Sequence, residues 1–107
     1  MPDRPRFRIR YDRSIAAHLS AIDTQYYSLI RSTIEEQLAL LPDVETRNRK
    51  PLRRPSAFGT AWELRFGPDN RFRVFYAVDP TSARVDVLAI GEKHGSTLRI
   101  GGEEFDL

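Results

Sequence analysis

The chain has no cysteine, which excludes a disulfide-stapled scaffold, a thiolate zinc site and a cysteine nucleophile. Its 107 residues include only two histidines, His18 and His94, and no apolar run approaches the length of a membrane span. The opening stretch, MPDRPRFRIRYDR, lacks the apolar segment that directs export. A cytoplasmic protein with no membrane partner is therefore the expectation, and nothing in the residues calls for a metal or another cofactor. Lysine is scarce as well, since 15 of the 17 basic residues are arginine. Acid is missing locally: residues 46–62 hold Arg47, Arg49, Lys50, Arg53 and Arg54 without a single carboxylate. Base is missing from residues 103–107, which hold Glu103, Glu104 and Asp106.

What is present suits a folded domain. Hydrophobic residues make up 40% and charged residues 30%, a globular rather than a disordered balance. A chain of this length buries roughly two-thirds of its unfolded surface, enough for one core. The net charge of +2 conceals the segregation: without residues 103–107, which hold three of the 15 acids, it is +5.

Period-two alternation in residues 6–11 sets Phe7, Ile9 and Tyr11 against Arg6, Arg8 and Arg10, a half-buried strand. Asp12 or Ser14 can cap a short helix, and Asp23 a second one. The second carries Ile22, Tyr26, Ile30, Ile34, Leu38 and Leu41 along one face before Pro42, so residues 13–41 are expected to form a helical hairpin. Pro51 and Pro55 mark residues 46–60 as a basic loop. Residues 61–66 and 71–78 alternate as strands, and residues 84–90, apolar on both faces apart from Arg84 and Asp86, read as a central strand; the turns GPDN and DPTS join them into an antiparallel meander over residues 61–91. Residues 92–107 remain as a C-terminal tail. The sum is a single α+β domain of order β-α-α-β-β-β, with the hairpin on one sheet face.

The helices cover only one face. Trp62, Leu64, Phe66, Phe72, Val74, Tyr76, Val78, Val85, Val87 and Ala89 form the stripe expected beneath them. The other face collects Arg65, Arg71, Arg73 and Phe75, with Lys93 and His94 just beyond the fourth strand. Basic side chains around an aromatic ring suit a phosphate backbone and stacked bases. The same alternation also produces charged faces that serve only solvation. Five contacts from the basic loop to a single strand predict a log–log salt slope of about −3.5; the alternative is a solubilising loop. His18 reads as edge packing. His94 reads as a loop acid or base, or as a solvated residue. The tail GGEEFDL reads as a short edge strand, or as an acidic cover over the Arg face.

The run WELRFG, then RFRVFY, then VDVLAIGEK, in this order and at hairpin spacing, resembles the RelE/ParE superfamily of toxins from type II toxin–antitoxin modules. The upstream strand, the hairpin and the NRKPL loop agree in order, so the resemblance covers nearly the whole chain. It implies a RelE-like fold and a metal-independent toxin with a cognate antitoxin as partner. It further implies an mRNA endonuclease acting on the ribosome, in which the ribose 2′-OH attacks the adjacent phosphate. By position, the resemblance makes Arg65, Arg73 and Lys93 the catalytic basic residues. Two positions depart from it. Glu63 stands where the RelE branch often has Lys, and Arg99, read as an RNA contact, stands where it often has a catalytic Tyr. Glu63 or His94 is then the candidate base. A ParE-like toxin directed at DNA gyrase, or an inert RNA- or protein-binding relative, shares the same pattern.

Overall fold

The computed structural model describes residues 6–53 and 62–106. Alternation at the start of the chain becomes β1 (Arg8–Tyr11), followed by the short helix α1 (Ile15–Ser20). The Asp23 carboxylate accepts the Gln25 amide at 3.0 Å and opens a 3-10 turn, Thr24–Tyr26, that leads into α2 (Tyr27–Leu38). Ile30, Ile34 and Leu38, four apart, are buried along one stripe of α2. The helix stops three residues before the expected Leu41. The Gln37 carbonyl, which a longer helix would offer to the Leu41 amide, instead accepts Arg49 Nη1 at 2.6 Å. Leu41 takes a left-handed φ of 52° and turns outward.

The strands that follow are β2 (Arg49–Pro51), β3 (Trp62–Phe66), β4 (Phe72–Asp79), β5 (Arg84–His94), β6 (Thr97–Ile100) and β7 (Glu103–Asp106). They lie in the order β2-β3-β4-β5-β6-β7, each antiparallel to its neighbour. β1 runs parallel beside the first half of β5, from Arg8 opposite Arg84 to Tyr11 opposite Val87. β6 takes the last part of the same edge. Between them the Asp12 amide donates to the Val87 carbonyl at 2.9 Å, and the Ile90 amide donates to His18 Nδ1 at 3.3 Å. The fold is α+β with helices on one face of a largely antiparallel sheet, as the sequence indicates.

Two segments carry more structure than expected. Residues 46–60 include β2, and residues 92–107 include the end of β5 together with β6 and β7. Gly101 and Gly102, at φ of 59° and 85°, form the two-residue turn that a β6–β7 hairpin requires. The tail is therefore an edge strand. Its Glu104 pairs with Arg99 at 3.3 Å, and its Phe105 packs on a small apolar cluster.

The main core lies between helices and sheet. Ile15, Ile22, Ile30, Ile34 and Leu38 meet Leu64, Phe66, Phe72, Val74, Tyr76, Val85, Val87 and Ile90. The Tyr76 hydroxyl donates to the Pro42 carbonyl at 2.7 Å, and burial pushes its pKa up. Ala89 is the exception to the expected stripe. Phe75 pairs with Ala89 and Tyr76 with Val87, so Leu88 is an extra residue in β5. This bulge reverses the alternation: Ile90 turns toward the helices and Ala89 toward the opposite face. Among the described residues, no helix is long and apolar enough to cross a membrane.

Candidate functional site

The sheet face away from the helices is assembled by cross-strand register. Lys50 lies opposite Glu63, Glu63 opposite Phe75, and Phe75 opposite Ala89. In the adjacent row Arg65 lies opposite Arg73, and Arg73 opposite Gly91. Lys93, two residues beyond Gly91, returns to the same face. One face of four strands thus carries Lys50, Glu63, Arg65, Arg73 and Lys93.

Glu63 sits at the centre of this group, its side chain only 6% exposed. Its Oε1 accepts from Arg65 Nε and, at 3.1 Å, from Arg73 Nη1. Arg73 Nε also donates to the Asn70 carbonyl at 3.1 Å. Burial lowers the Arg73 pKa from its ordinary value, while the Glu63 carboxylate opposes that shift. The two arginines differ in access: the Arg65 side chain is 40% exposed and that of Arg73 8%. Gly91 makes the approach of β6 possible. A Cβ there would stand 2.7 Å from both the Arg99 carbonyl oxygen and Ile100 Cγ1.

Other expected contacts fall elsewhere. Phe75 is not an exposed stacking ring. It is buried with Ala89, Leu98 and Ile100, and Leu52 and Phe105 pack against them. Arg71 does not share the face either. It precedes β4 in a helical conformation, so strand alternation does not reach it. Its guanidinium lies 5.0 Å from the Tyr26 ring centroid, and its Nε donates to Glu92 Oε2 at 2.7 Å, which raises its pKa.

Arg49, expected as an RNA contact, is placed as a structural tie. It is buried opposite Leu64, on the helix side, and donates to the carbonyls of Gln37 and Val44. A cation on the last carbonyls of α2 is the favourable partner for a helix C-terminus. Lys50 is on the cation face but is paired with Glu45 at 3.6 Å. Arg47 and Arg53 are exposed. Arg54 and residues 55–60 of the expected basic loop lie outside the described residues.

His94 and Arg99 project to the helix side, because Glu92 pairs with Phe72 and with Arg99, and His94 follows two residues later. Both therefore lie across the sheet from Lys93. They line a cavity of about 330 Å³ together with His18, Glu92 and Glu104. His94 Nε2 is 3.8 Å from Glu92 Oε2, an ion pair only when the imidazole is protonated. Burial lowers the His18 pKa, and its Nδ1 is taken by the Ile90 amide. Where α1 and α2 meet the sheet, a groove of about 540 Å³ is lined by Tyr11, Ile15, Leu19, Tyr27, Ile30, Ile34 and Ile90, with Asp12, Arg13, Arg31 and Glu35 among its charged residues. Among the described residues, no group of three or more histidines and carboxylates is arranged to hold a metal ion.

Arg65 and Arg73 are legible in the sequence as a cation face, whereas the place of Lys50 on it, the coupling through Glu63 and the partner role of Glu92 are not. Period-two spacing puts Glu63 and Arg65 on one face, and that signal was available. Alternation in residues 71–78 adds Arg73 to that face, and the β3–β4 register then sets it directly opposite Arg65. No family model matches the chain, and no curated protein is similar to it in sequence. Among solved structures, it is similar to a chain in the crystal structure of the toxin–antitoxin complex RelBE2 from Mycobacterium tuberculosis. The TM-score is 0.68 with 18% identity, and the match covers 87% of this chain and 98% of that one. At this identity the likeness is one of fold.

Proposed function

We propose that this chain is the toxin of a toxin–antitoxin module and that it acts on RNA through the sheet face bearing Arg65, Arg73 and Lys93. The observation that carries the reading is the register, which gathers cations from β3, β4 and β5 on the face the helices leave open. The fold shared with a chain of a toxin–antitoxin complex supports the toxin assignment and a protein antitoxin as partner. An amphipathic antitoxin segment would fit the groove along the hairpin, and an acidic one the cation face.

The reaction we propose is cleavage of mRNA on the ribosome by attack of the ribose 2′-oxygen on the adjacent phosphorus. The 2′-hydroxyl gives up its proton to a base, the bond to the 5′-oxygen breaks, that oxygen leaves as a hydroxyl by gaining a proton, and a 2′,3′-cyclic phosphate remains. Arg65, Arg73 and Lys93 stabilise the charge that gathers on the phosphoryl oxygens. Preset donors need no reorganisation as that charge develops. Neither expected base fits this role as placed, since Glu63 is shared by two guanidiniums and His94 is across the sheet.

That same observation favours a second reading, in which the face binds without cutting. The target is then DNA gyrase, or an RNA or protein held by an inert relative. Inducing the chain alone and sequencing RNA 5′ ends separates the two. New 5′ ends in translated messages, lost in Arg73→Ala and suppressed by the co-expressed antitoxin, support cleavage. Growth arrest with intact messages and gyrase-linked DNA breaks would reject it.

A further inference from the structure

Arg65 and Arg73 stand directly opposite one another on adjacent strands, an arrangement in which like charges repel. Glu63 resolves it. The carboxylate lies two residues from Arg65 on the same face and diagonal to Arg73, and one oxygen, Oε1, accepts from both guanidiniums. Two guanidiniums converging on one anionic oxygen is also how proteins hold a phosphoryl oxygen. Glu63 Oε1 therefore stands where a phosphoryl oxygen would bind. The carboxylate is buried, whereas Arg65 is substantially exposed, so a ligand approaches from the Arg65 side.

We infer that Glu63 is a built-in competitor for RNA: its carboxylate fills the oxyanion site formed by Arg65 and Arg73, and a phosphodiester gains that site by displacing it. The inference rests on the RNA reading above and adds a regulatory element to the same site. Without a ligand, the carboxylate keeps two facing arginines compatible with a folded sheet. With RNA present, the phosphate takes over that neutralisation. Lys93 lies outside this exchange and supplies charge throughout. The face therefore binds RNA more weakly than its cations alone would allow.

The test is binding of a short labelled oligouridylate to the full-length chain, with thermal melts as a control for folding. Glu63→Gln keeps an acceptor for the guanidiniums and removes the charge. It is expected to bind about tenfold tighter at low salt, with a log–log salt slope steeper by about 0.7. The gain should shrink in an Arg65→Ala background, since the competition is for that guanidinium. If Arg65→Ala weakens binding but Glu63→Gln binds no tighter than the unaltered chain, the competitor role is overturned and the RNA reading stands. If Arg65→Ala and Lys93→Ala both bind like the unaltered chain, the RNA reading falls and the inference with it. Should Glu63→Gln fail to fold, the unaltered chain isotope-labelled at its glutamate carboxylates gives the answer. Its Glu63 resonance should move as oligouridylate saturates the protein, and a resonance that stays in place overturns displacement.

Discussion

The two faces of the sheet are built from the same alternating strands, yet they treat charge in opposite ways. On the helix side, arginines serve the fold. Arg49 ties β2 to the end of α2, and Arg71 lies over Tyr26 while bonded to Glu92. On the open side, Arg65 and Arg73 converge on one carboxylate over a small apolar cluster, and Lys93 stands nearby on β5. A basic residue therefore has no functional meaning until its partners are known. An arginine spent on helix carbonyls is a structural cation, whereas two arginines sharing one carboxylate retain capacity for another anion.

The contrast can be probed by substitutions, from the largest expected effect downward. Gly91→Ala puts a methyl against the Arg99 carbonyl and Ile100, and should cost about 2–3 kcal/mol in a denaturant titration. A neutral outcome would mean that β6 can move away from β5. Arg49→Ala should cost about 2 kcal/mol, because the Gln37 and Val44 carbonyls lose a charged donor that is itself buried. Once melts confirm folding at low temperature, the variant should still bind oligouridylate like the parent chain; a large loss would move Arg49 into the functional face. Tyr76→Phe removes the hydroxyl donated to Pro42 and should cost about 1 kcal/mol, also without altering RNA binding.

The smallest effect is one of pH. The folded chain resists protonation of His18, mainly through burial, with Asp12 pulling the other way. The unfolded chain titrates this imidazole near its ordinary value of about 6.5. Between that value and the lower folded one the unfolded state holds more protons. This contribution to stability is thus fully present above about pH 6.5 and is lost as the pH falls through the window below. Melting temperatures measured across that window should decline. The decline should be shallower in His18→Gln, which keeps an acceptor for the Ile90 amide but does not titrate.

Much of this was legible in the sequence, and what was not has physical reasons. Alternation in residues 61–66 and 71–78 gave the two faces of β3 and β4 and placed Glu63, Arg65 and Arg73 together. It failed at Ala89 because VLAI is apolar throughout, so a bulge at Leu88 leaves no trace in the pattern. It failed at Arg71 because that residue precedes the strand. His94 and Arg99 lie apart from Lys93 for a related reason. Treating residues 92–107 as a tail hid the strands that send both side chains to the helix side. Phe75 showed the limit of reading exposure from an uncovered face, since Leu98, Ile100 and Phe105 come from those same strands to bury it.

The most direct test of the two-face account compares neighbours on β5 and β6. Lys93 and Arg99 are both basic and close in sequence, but they project from opposite sides of the sheet. Oligouridylate binding should be measured across a salt series for Lys93→Ala and Arg99→Ala. The account predicts that Lys93→Ala weakens binding and flattens the log–log slope by about 0.7, while Arg99→Ala leaves both unchanged. Equal losses in the two variants, or a loss confined to Arg99→Ala, would contradict it.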